Sequence, residues 1–96
     1  MTITKTLNGT EMTIAPEGRL DTLTAPELRT VVENELSDVT DLTMDFAKLD
    51  FISSAGLRIM LTADKTMSGK GTFRVINASQ DITELFYMTG LDEFLE

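Results

Sequence analysis

The sequence predicts an α/β domain built on a mixed, mostly parallel β-sheet with helices packed over one face. Strand-like and helix-like segments alternate through the chain in the order β-β-α-β-α-β-α. Such alternation is typical of parallel strands joined by right-handed crossovers. The first two strand-like runs flank Asn8-Gly9, a dipeptide that favours a tight antiparallel hairpin. A length of 96 residues fits one domain over residues 1–96.

The hairpin strands are predicted at residues 2–7 and 11–15. Asn8 and Gly9 form the expected turn because both tolerate positive φ. The second strand continues beyond residue 15 and bends near Pro16.

The first helix is predicted over residues 23–36. Thr24 and Glu27 have the T-x-x-E spacing of a capping box. Pro26 lies near the first turn, where its missing N–H costs nothing. The apolar residues at helical spacing are Leu28, Val31, Val32 and Leu36.

The rest of the chain alternates strands with helices. Residues 42–46 alternate apolar and polar side chains, residues 72–77 form another strand, and "LDFI" at 49–52 begins as a buried strand. The third helix is expected to begin at Ser79 and to end at Gly90. Apolar residues predicted to pack in this half are Leu49, Phe51, Ile52, Leu57, Met60, Leu61, Met67, Ile82, Leu85, Phe86, Met88, Leu91, Phe94 and Leu95.

Charge and hydropathy narrow the choice of partner. The chain has 16 acidic and 8 basic side chains and a net charge of −8. Nucleic-acid affinity comes largely from cations that displace counterions at phosphates, so the balance favours a protein partner. No stretch approaches the roughly 20 apolar residues that span a bilayer, and the N-terminus lacks the apolar core of a secretory signal. We therefore expect a cytoplasmic protein with neither a nucleic-acid nor a membrane partner.

The composition argues against an enzyme. The sequence has no histidine and no cysteine, which removes the commonest general base and any thiolate metal site. The GxSxG nucleophile elbow and the glycine-rich phosphate loops are also absent. Adjacent carboxylates such as Asp92 and Glu93 are expected by chance among so many acids. We predict a non-enzymatic protein without cofactor or metal.

Two serines occupy a strand-to-helix junction in "KLDFISSAGL", residues 48–57. Functional residues collect where strands end in α/β sheets, and the partial positive charge of a helix N-terminus favours a phosphate. Ser54 is therefore a sensible phosphate acceptor, and Gly56 would let a partner approach closely. The alternative is that Ser53 or Ser54 only caps the helix, a common role that stabilises by about 1 kcal/mol. Position alone favours capping, and both roles coexist if one serine caps and the other is modified.

A second polar segment, "GRLDTLTAPEL", precedes the first helix. Asp21 and Thr22 fit an ordinary polar turn by residue type. The functional alternative is a surface that recognises a partner beside Ser54.

Three segments, in order, resemble the STAS domains, a family named for sulfate transporters and anti-sigma factor antagonists. "GRLDTLTAPEL" is similar to the first family motif, "LDFISSAGL" to the signature before an amphipathic helix, and "ELFYMTGLDEF" to the closing motif. Together they lie within residues 14–94. The resemblance is strongest to free-standing bacterial anti-sigma factor antagonists and implies a single STAS domain.

The resemblance also implies a phosphorylation site. In that family the loop commonly reads D-S-S/T-G, and its first serine is phosphorylated by the partner. On this sequence the acceptor position is Ser54, whereas Ser53 replaces the aspartate and is the alternative acceptor. The implied partner-binding residues are Asp21, Thr22, Ser53, Gly56, Leu57 and Arg58.

The function implied by the resemblance is a partner switch. The unphosphorylated antagonist, a monomer when free, binds an anti-sigma factor serine kinase with a histidine-kinase-like ATPase fold and releases the sigma factor. The kinase then phosphorylates the serine and ends the complex, and a PP2C-type phosphatase resets it. The alternative is a non-phosphorylated STAS accessory subunit of a lipid transporter or of a signalling scaffold.

Overall fold

The structure, a computed structural model that describes residues 1–96, contains five strands, three α-helices and one short 3-10 helix. The strands are β1 (Thr2–Asn8), β2 (Glu11–Leu20), β3 (Asp41–Asp45), β4 (Leu49–Ile52) and β5 (Thr72–Ile76). The helices are α1 (Ala25–Asn34), α2 (Ser54–Met67) and α3 (Gln80–Met88), followed by the 3-10 turn Asp92–Phe94. The predicted alternation is confirmed with one addition, because a turn at Ala47-Lys48 separates β3 from β4.

The sheet is mixed and mostly parallel, as predicted. β1 and β2 form the antiparallel hairpin, and β2, β3 and β5 follow one another in parallel. The long strand β2 has two parallel partners along its length. Its residues 11–14 pair with β3 and its residues 18–20 pair with β4. The loops after β2 and β4 are therefore brought side by side.

The core lies on one face of this sheet, as predicted. The cross-strand neighbours Met12 and Leu42 share a face, as do Ile14 and Met44 in the next pair. These residues join the buried side chains of all three helices in one apolar cluster of 24 residues. The opposite face carries the polar row Thr13, Thr43 and Arg74, of which Thr43 is buried. None of the helices is long and apolar enough to cross a membrane.

The hairpin turn is one residue later than predicted. β1 extends to Asn8, and the two turn residues are Gly9 and Thr10. Only Gly9 has positive φ, at 63°. A single positive φ at the first turn position is the pattern of a type II′ turn, for which glycine is the natural residue.

Three predicted core residues are exposed instead. Met88 is 80% exposed, Leu61 is 49% exposed and Phe51 is 37% exposed. In α2 the buried residues Gly56, Ile59, Met60, Ala63 and Met67 follow the spacing of one helical face, which turns Leu61 outward. In α3 the buried pair Ile82 and Phe86 likewise sets a face that excludes Met88. Phe51 pairs with Arg19, where the register between β2 and β4 shifts.

Helix α3 begins and ends as the sequence predicts, with Ser79 before its start and Gly90 after its end. The Ser79 hydroxyl accepts a hydrogen bond from the Ile82 N–H at 3.3 Å and caps the helix. Gly90 has φ 76°, and the Leu91 N–H returns to the Phe86 carbonyl at 2.8 Å. This 6→1 bond is the mark of a Schellman motif. Leu91 and Phe94 then reach the core and are buried, as predicted.

Candidate functional site

The candidate site lies where β2 and β4 end side by side. Leu20 and Ile52 are register partners, and the Ser53 N–H donates to the Leu20 carbonyl at 2.9 Å. This pairing places residues 21–24, the loop after β2, beside residues 53–58, the start of α2. We call these two segments together the switch edge. It contains the serine pair, Asp21, Thr22 and Arg58, so the fold brings together residues that the sequence separates.

The loop after β2 is held by its own polar groups. The Asp21 carboxylate accepts hydrogen bonds from the N–H groups of Leu23 at 3.0 Å and Thr24 at 3.2 Å. The Thr24 hydroxyl donates to the Arg19 carbonyl at 2.7 Å and accepts from the Asp21 N–H at 2.9 Å. These bonds tie the loop back to the end of β2.

The predicted capping box is therefore wrong. Thr24 does occupy the N-cap position of α1, but its side chain makes no cap hydrogen bond, and its φ and ψ of −97° and −23° are helical. The hydroxyl faces back toward β2, where the Arg19 carbonyl competes successfully for it. Only the backbone links the first turn, through the bond from the Glu27 N–H to the Thr24 carbonyl.

The surroundings of Asp21 lower the pKa of its carboxyl, which favours the ionised form. The Thr24 N–H is the main cause that lowers the pKa of its carboxyl, with the Leu23 N–H, the Thr24 hydroxyl and the Arg19 charge adding to the effect. The Asp21 carboxylate is thus occupied by hydrogen bonds within the turn. Thr22 and Leu23 are the side chains that this loop presents outward, and Leu23 is 88% exposed.

The two serines differ sharply in accessibility. Ser54 is the first residue of α2 and is exposed, and its hydroxyl makes no hydrogen bond. Ser53 has the extended N-cap backbone, with φ −98° and ψ 177°, but no side-chain cap bond. Its Oγ is buried and has no hydrogen-bond partner. The expectation that Ser53 caps α2 is therefore wrong, because its hydroxyl lies inside the protein without reaching the helix N–H groups.

Gly56 is a packing residue and does not open the surface to a partner. A Cβ at this position would lie 2.6 Å from Ile52 Cγ1 and 2.8 Å from Leu20 Cγ. The glycine thus lets α2 pack closely on the ends of β2 and β4. Leu57 is also buried, so these two residues support the switch edge from beneath. Thr22, Ser54 and Arg58 are the predicted site residues that solvent reaches most freely.

A groove of about 390 Å³ runs between the starts of α1 and α2. It is lined by Thr22, Ala25, Pro26, Arg29 and Ala55. The sequence reasoning missed Arg29, although it stands four residues after the buried Ala25 and so lies on the neighbouring part of the same helical face. The groove gives a partner a concave surface next to Ser54.

Three of the eight basic residues of the chain border this region. Arg29 and Arg58 form no ion pair, and Arg19 makes only a long one, with its Nε 3.8 Å from Asp21 Oδ2. The Arg19 guanidinium also lies 4.1 Å from the centre of the Phe51 ring, a cation–π contact. The switch edge itself contains one acid, Asp21, and one base, Arg58, and Arg19 and Arg29 stand on its border. No group of three or more histidine, cysteine, aspartate or glutamate side chains is arranged to hold a metal ion.

The family of the chain follows from its sequence as well as its fold. The family model of the STAS domain matches residues 2–96. The chain therefore belongs to the STAS domain family, as the three motifs predicted. No curated protein matches the sequence significantly.

Solved structures of anti-sigma factor antagonists share this fold. The antagonist from Mycobacterium paratuberculosis superposes with a TM-score of 0.85 at 22% identity, covering 98% of this chain and 81% of that one. The Bacillus cell fate determinant SpoIIAA in its phosphorylated form gives 0.81 at 19% identity, covering 99% and 89%. The anti-sigma factor antagonist SpoIIAA in its unphosphorylated form gives 0.73 at 19% identity, covering 91% and 83%.

Proposed function

We propose that this chain is an anti-sigma factor antagonist that acts as a phosphorylation-controlled switch. Its unphosphorylated form binds an anti-sigma factor serine kinase with a histidine-kinase-like ATPase fold, which releases the sigma factor. Phosphorylation of Ser54 by that kinase ends the complex, and a PP2C-type phosphatase restores the binding form.

The observation that carries the proposal is the contrast between the two serines. The Ser54 hydroxyl is exposed and unbonded in the first turn of a 14-residue helix, whereas Ser53 Oγ is buried. A kinase reaches the first without moving the backbone. This accessibility supports Ser54 over Ser53 as the acceptor. The solved relative SpoIIAA, which has been described in phosphorylated and unphosphorylated forms, supports the same kind of modification.

The surroundings of Ser54 explain how a phosphate would end binding. A phosphoserine carries about −1.5 to −2 charges at neutral pH. The neighbouring arginines Arg19, Arg29 and Arg58 favour a partner whose facing surface is acidic. A dianion at position 54 would meet that acidic surface directly and repel it. The phosphate therefore needs no change in the antagonist fold to act.

The acceptor is tested by incubating the chain with the candidate anti-sigma kinase and Mg-ATP and mapping the product by mass spectrometry. We expect one phosphate, on Ser54. The Ser54→Ala variant should lose it, and the matched Ser53→Ala variant should keep it. A phosphate that maps outside residues 53 and 54, or no phosphate at all, contradicts the proposed switch.

The interface is tested by measuring kinase affinity. Ser54→Asp should weaken binding at least about tenfold, or about 1.4 kcal/mol, because a carboxylate is introduced into a desolvated contact. Ser54→Ala is the control and should bind as tightly as the wild type. Equal affinity for the Asp variant would place Ser54 outside the interface.

A further inference from the structure

Arg58 stands one helical turn beyond Ser54. Residues four apart in a helix are neighbours on its surface, with Cβ atoms about 5–6 Å from each other. Both side chains are exposed, and Arg58 has neither an ion pair nor a side-chain hydrogen bond. The arginine is therefore within reach of a group attached to Ser54 and is not committed elsewhere.

The start of α2 has no anionic or capping side chain of its own. Its first turn contains no acidic residue, and Ser53 at the N-cap makes no side-chain cap bond. The other two helices each have an acid in the first turn, Glu27 in α1 and Asp81 in α3. The uncapped first turn of α2 and the free guanidinium of Arg58 both favour an anion here.

We propose that the phosphate on Ser54 forms an intramolecular ion pair with Arg58, so that phosphorylation also withdraws this arginine from the partner-binding surface. The inference rests on the proposed function in taking Ser54 as the acceptor. In the transfer, a bond forms between Ser54 Oγ and the γ-phosphorus of ATP, the bond to the ADP oxygen breaks, and the serine proton is released. The product oxygens then accept the planar guanidinium hydrogens, a geometry that arginine suits well.

The other arginines of the region are less suited to this pairing. Arg19 already lies against the Phe51 ring and near Asp21. Arg29 belongs to α1, on the wall of the groove that Ala55 also lines. Arg58 alone shares both the helix and the face of Ser54. This difference makes Arg29 a matched control, since its side chain is also exposed and also forms no ion pair.

The test uses the full chain with phosphoserine placed at position 54 by genetic encoding, so that no kinase is needed. The second pKa of the phosphate is measured by ³¹P NMR in the wild type, R58Q and R29Q backgrounds. A cation beside the dianion lowers this pKa. We expect the pKa to rise by about 0.2 to 0.4 units in R58Q, which is the 0.3–0.5 kcal/mol of an exposed i,i+4 pair converted at about 1.4 kcal/mol per unit, and to stay at the wild-type value in R29Q. The Arg58→Lys variant should restore part of the shift.

Two results would overturn the ion pair: equal pKa values in the wild type and R58Q, or a rise that occurs in R29Q instead. Because the phosphate is installed without a kinase, this outcome is separate from the proposed function. If the kinase fails to modify Ser54 while the R58Q shift is present, the switch is wrong and the ion pair stands.

The withdrawal of Arg58 from the partner is tested by a cycle of kinase affinities. Unphosphorylated R58Q should bind several-fold more weakly than the wild type. Phosphorylation should then cost less affinity in R58Q than in the wild type, because one of its two effects is already absent. An identical loss on phosphorylation in both backgrounds would show that Arg58 takes no part in release.

Discussion

The starts of α2 and α3 use the same residue at the same position with opposite results. Ser53 and Ser79 both occupy an N-cap, and both have extended backbone, with ψ near 177° and 166°. Ser79 Oγ accepts a hydrogen bond from the Ile82 N–H, whereas Ser53 Oγ is buried and makes no hydrogen bond. A serine at a helix start is therefore not evidence of a cap. The uncapped start belongs to the helix that carries the proposed acceptor.

Packing replaces capping at the start of α2. Gly56 brings the helix against Leu20 and Ile52. The Leu57 N–H also bonds to the Ser53 carbonyl at 3.0 Å and closes the first turn. Because the helix is anchored from its buried side, its polar groups are left available on the exposed side. At α3 the polar groups themselves hold the helix start.

The largest expected effect comes from disturbing that packing. Gly56→Ala places a Cβ within 3 Å of Ile52 Cγ1 and Leu20 Cγ, so we expect a loss of about 1–3 kcal/mol in the free energy of unfolding. Urea unfolding followed by circular dichroism measures it. Ser54→Ala, on the exposed side of the same turn, is the control and should change stability little. If Gly56→Ala left the free energy of unfolding unchanged, packing at Gly56 would not be what anchors α2.

At α3 the serine itself should matter. Ser79→Ala removes the acceptor of the Ile82 N–H and should cost about 1 kcal/mol in urea unfolding. Gln80→Ala, at the exposed next position, is the comparison and should be near neutral. If Ser79→Ala were also neutral, the contrast between the two helix starts would disappear.

The loop before α1 precedes a third helix start, and here the Asp21 carboxylate accepts the backbone hydrogen bonds that hold the chain. The hydrogen bond from the Thr24 N–H and those beside it hold the pKa of Asp21 below its ordinary value of 3.8. A lowered native pKa means that the carboxylate stabilises the fold above its unfolded pKa and that this contribution is lost as pH falls through the native pKa. Asp21→Asn should therefore be less stable than the wild type near pH 6, and the difference should narrow below pH 3.8.

Urea unfolding of both proteins across that pH range measures the difference. Asp50→Asn, which alters an exposed aspartate without side-chain bonds, is the matched control. A gap between wild type and Asp21→Asn that stays constant down to acid pH would show that the charge of Asp21 does not support the loop.

The smallest effect is expected at Ser53. Its hydroxyl makes no bond in the folded protein, so Ser53→Ala removes a buried group that water had satisfied in the unfolded chain. We expect a stability within about 0.5 kcal/mol of the wild type, or a slight gain. A loss as large as that of Ser79→Ala would show that Ser53 caps α2 after all.

The sequence predicts the fold well because periodicity decides which faces are buried. The alternation of Leu42, Met44 and Phe46 and the spacing of Ile82 and Phe86 are local signals that the packing obeys. The position of Ser54 was also predictable, since it follows from the end of β4 and the start of α2.

The errors at the helix starts share one physical cause, which is contact with residues outside the helix concerned. The Thr24 hydroxyl has a local partner in its own helix, but the Arg19 carbonyl of β2 takes it. The burial of Ser53 Oγ depends on neighbours that the fold brings together, and so does the shared groove of Arg29 and Ala55. No local pattern contains that information. Capping and exposure at this edge are therefore tertiary properties.

The pairing of β2 with β4 determines when the switch edge forms during folding. The two halves of the switch edge lie far apart in sequence and meet only through contacts such as Ser53 N–H to Leu20 carbonyl. Long-range pairings of this kind form only once their loop-closure entropy is offset, so they are slow to appear in folding. A nascent chain that has not reached β4 displays the loop without the serine. The edge thus forms only after β4 has paired with β2, and a ribosome-bound fragment that ends before β4 lacks the surface that the finished protein presents.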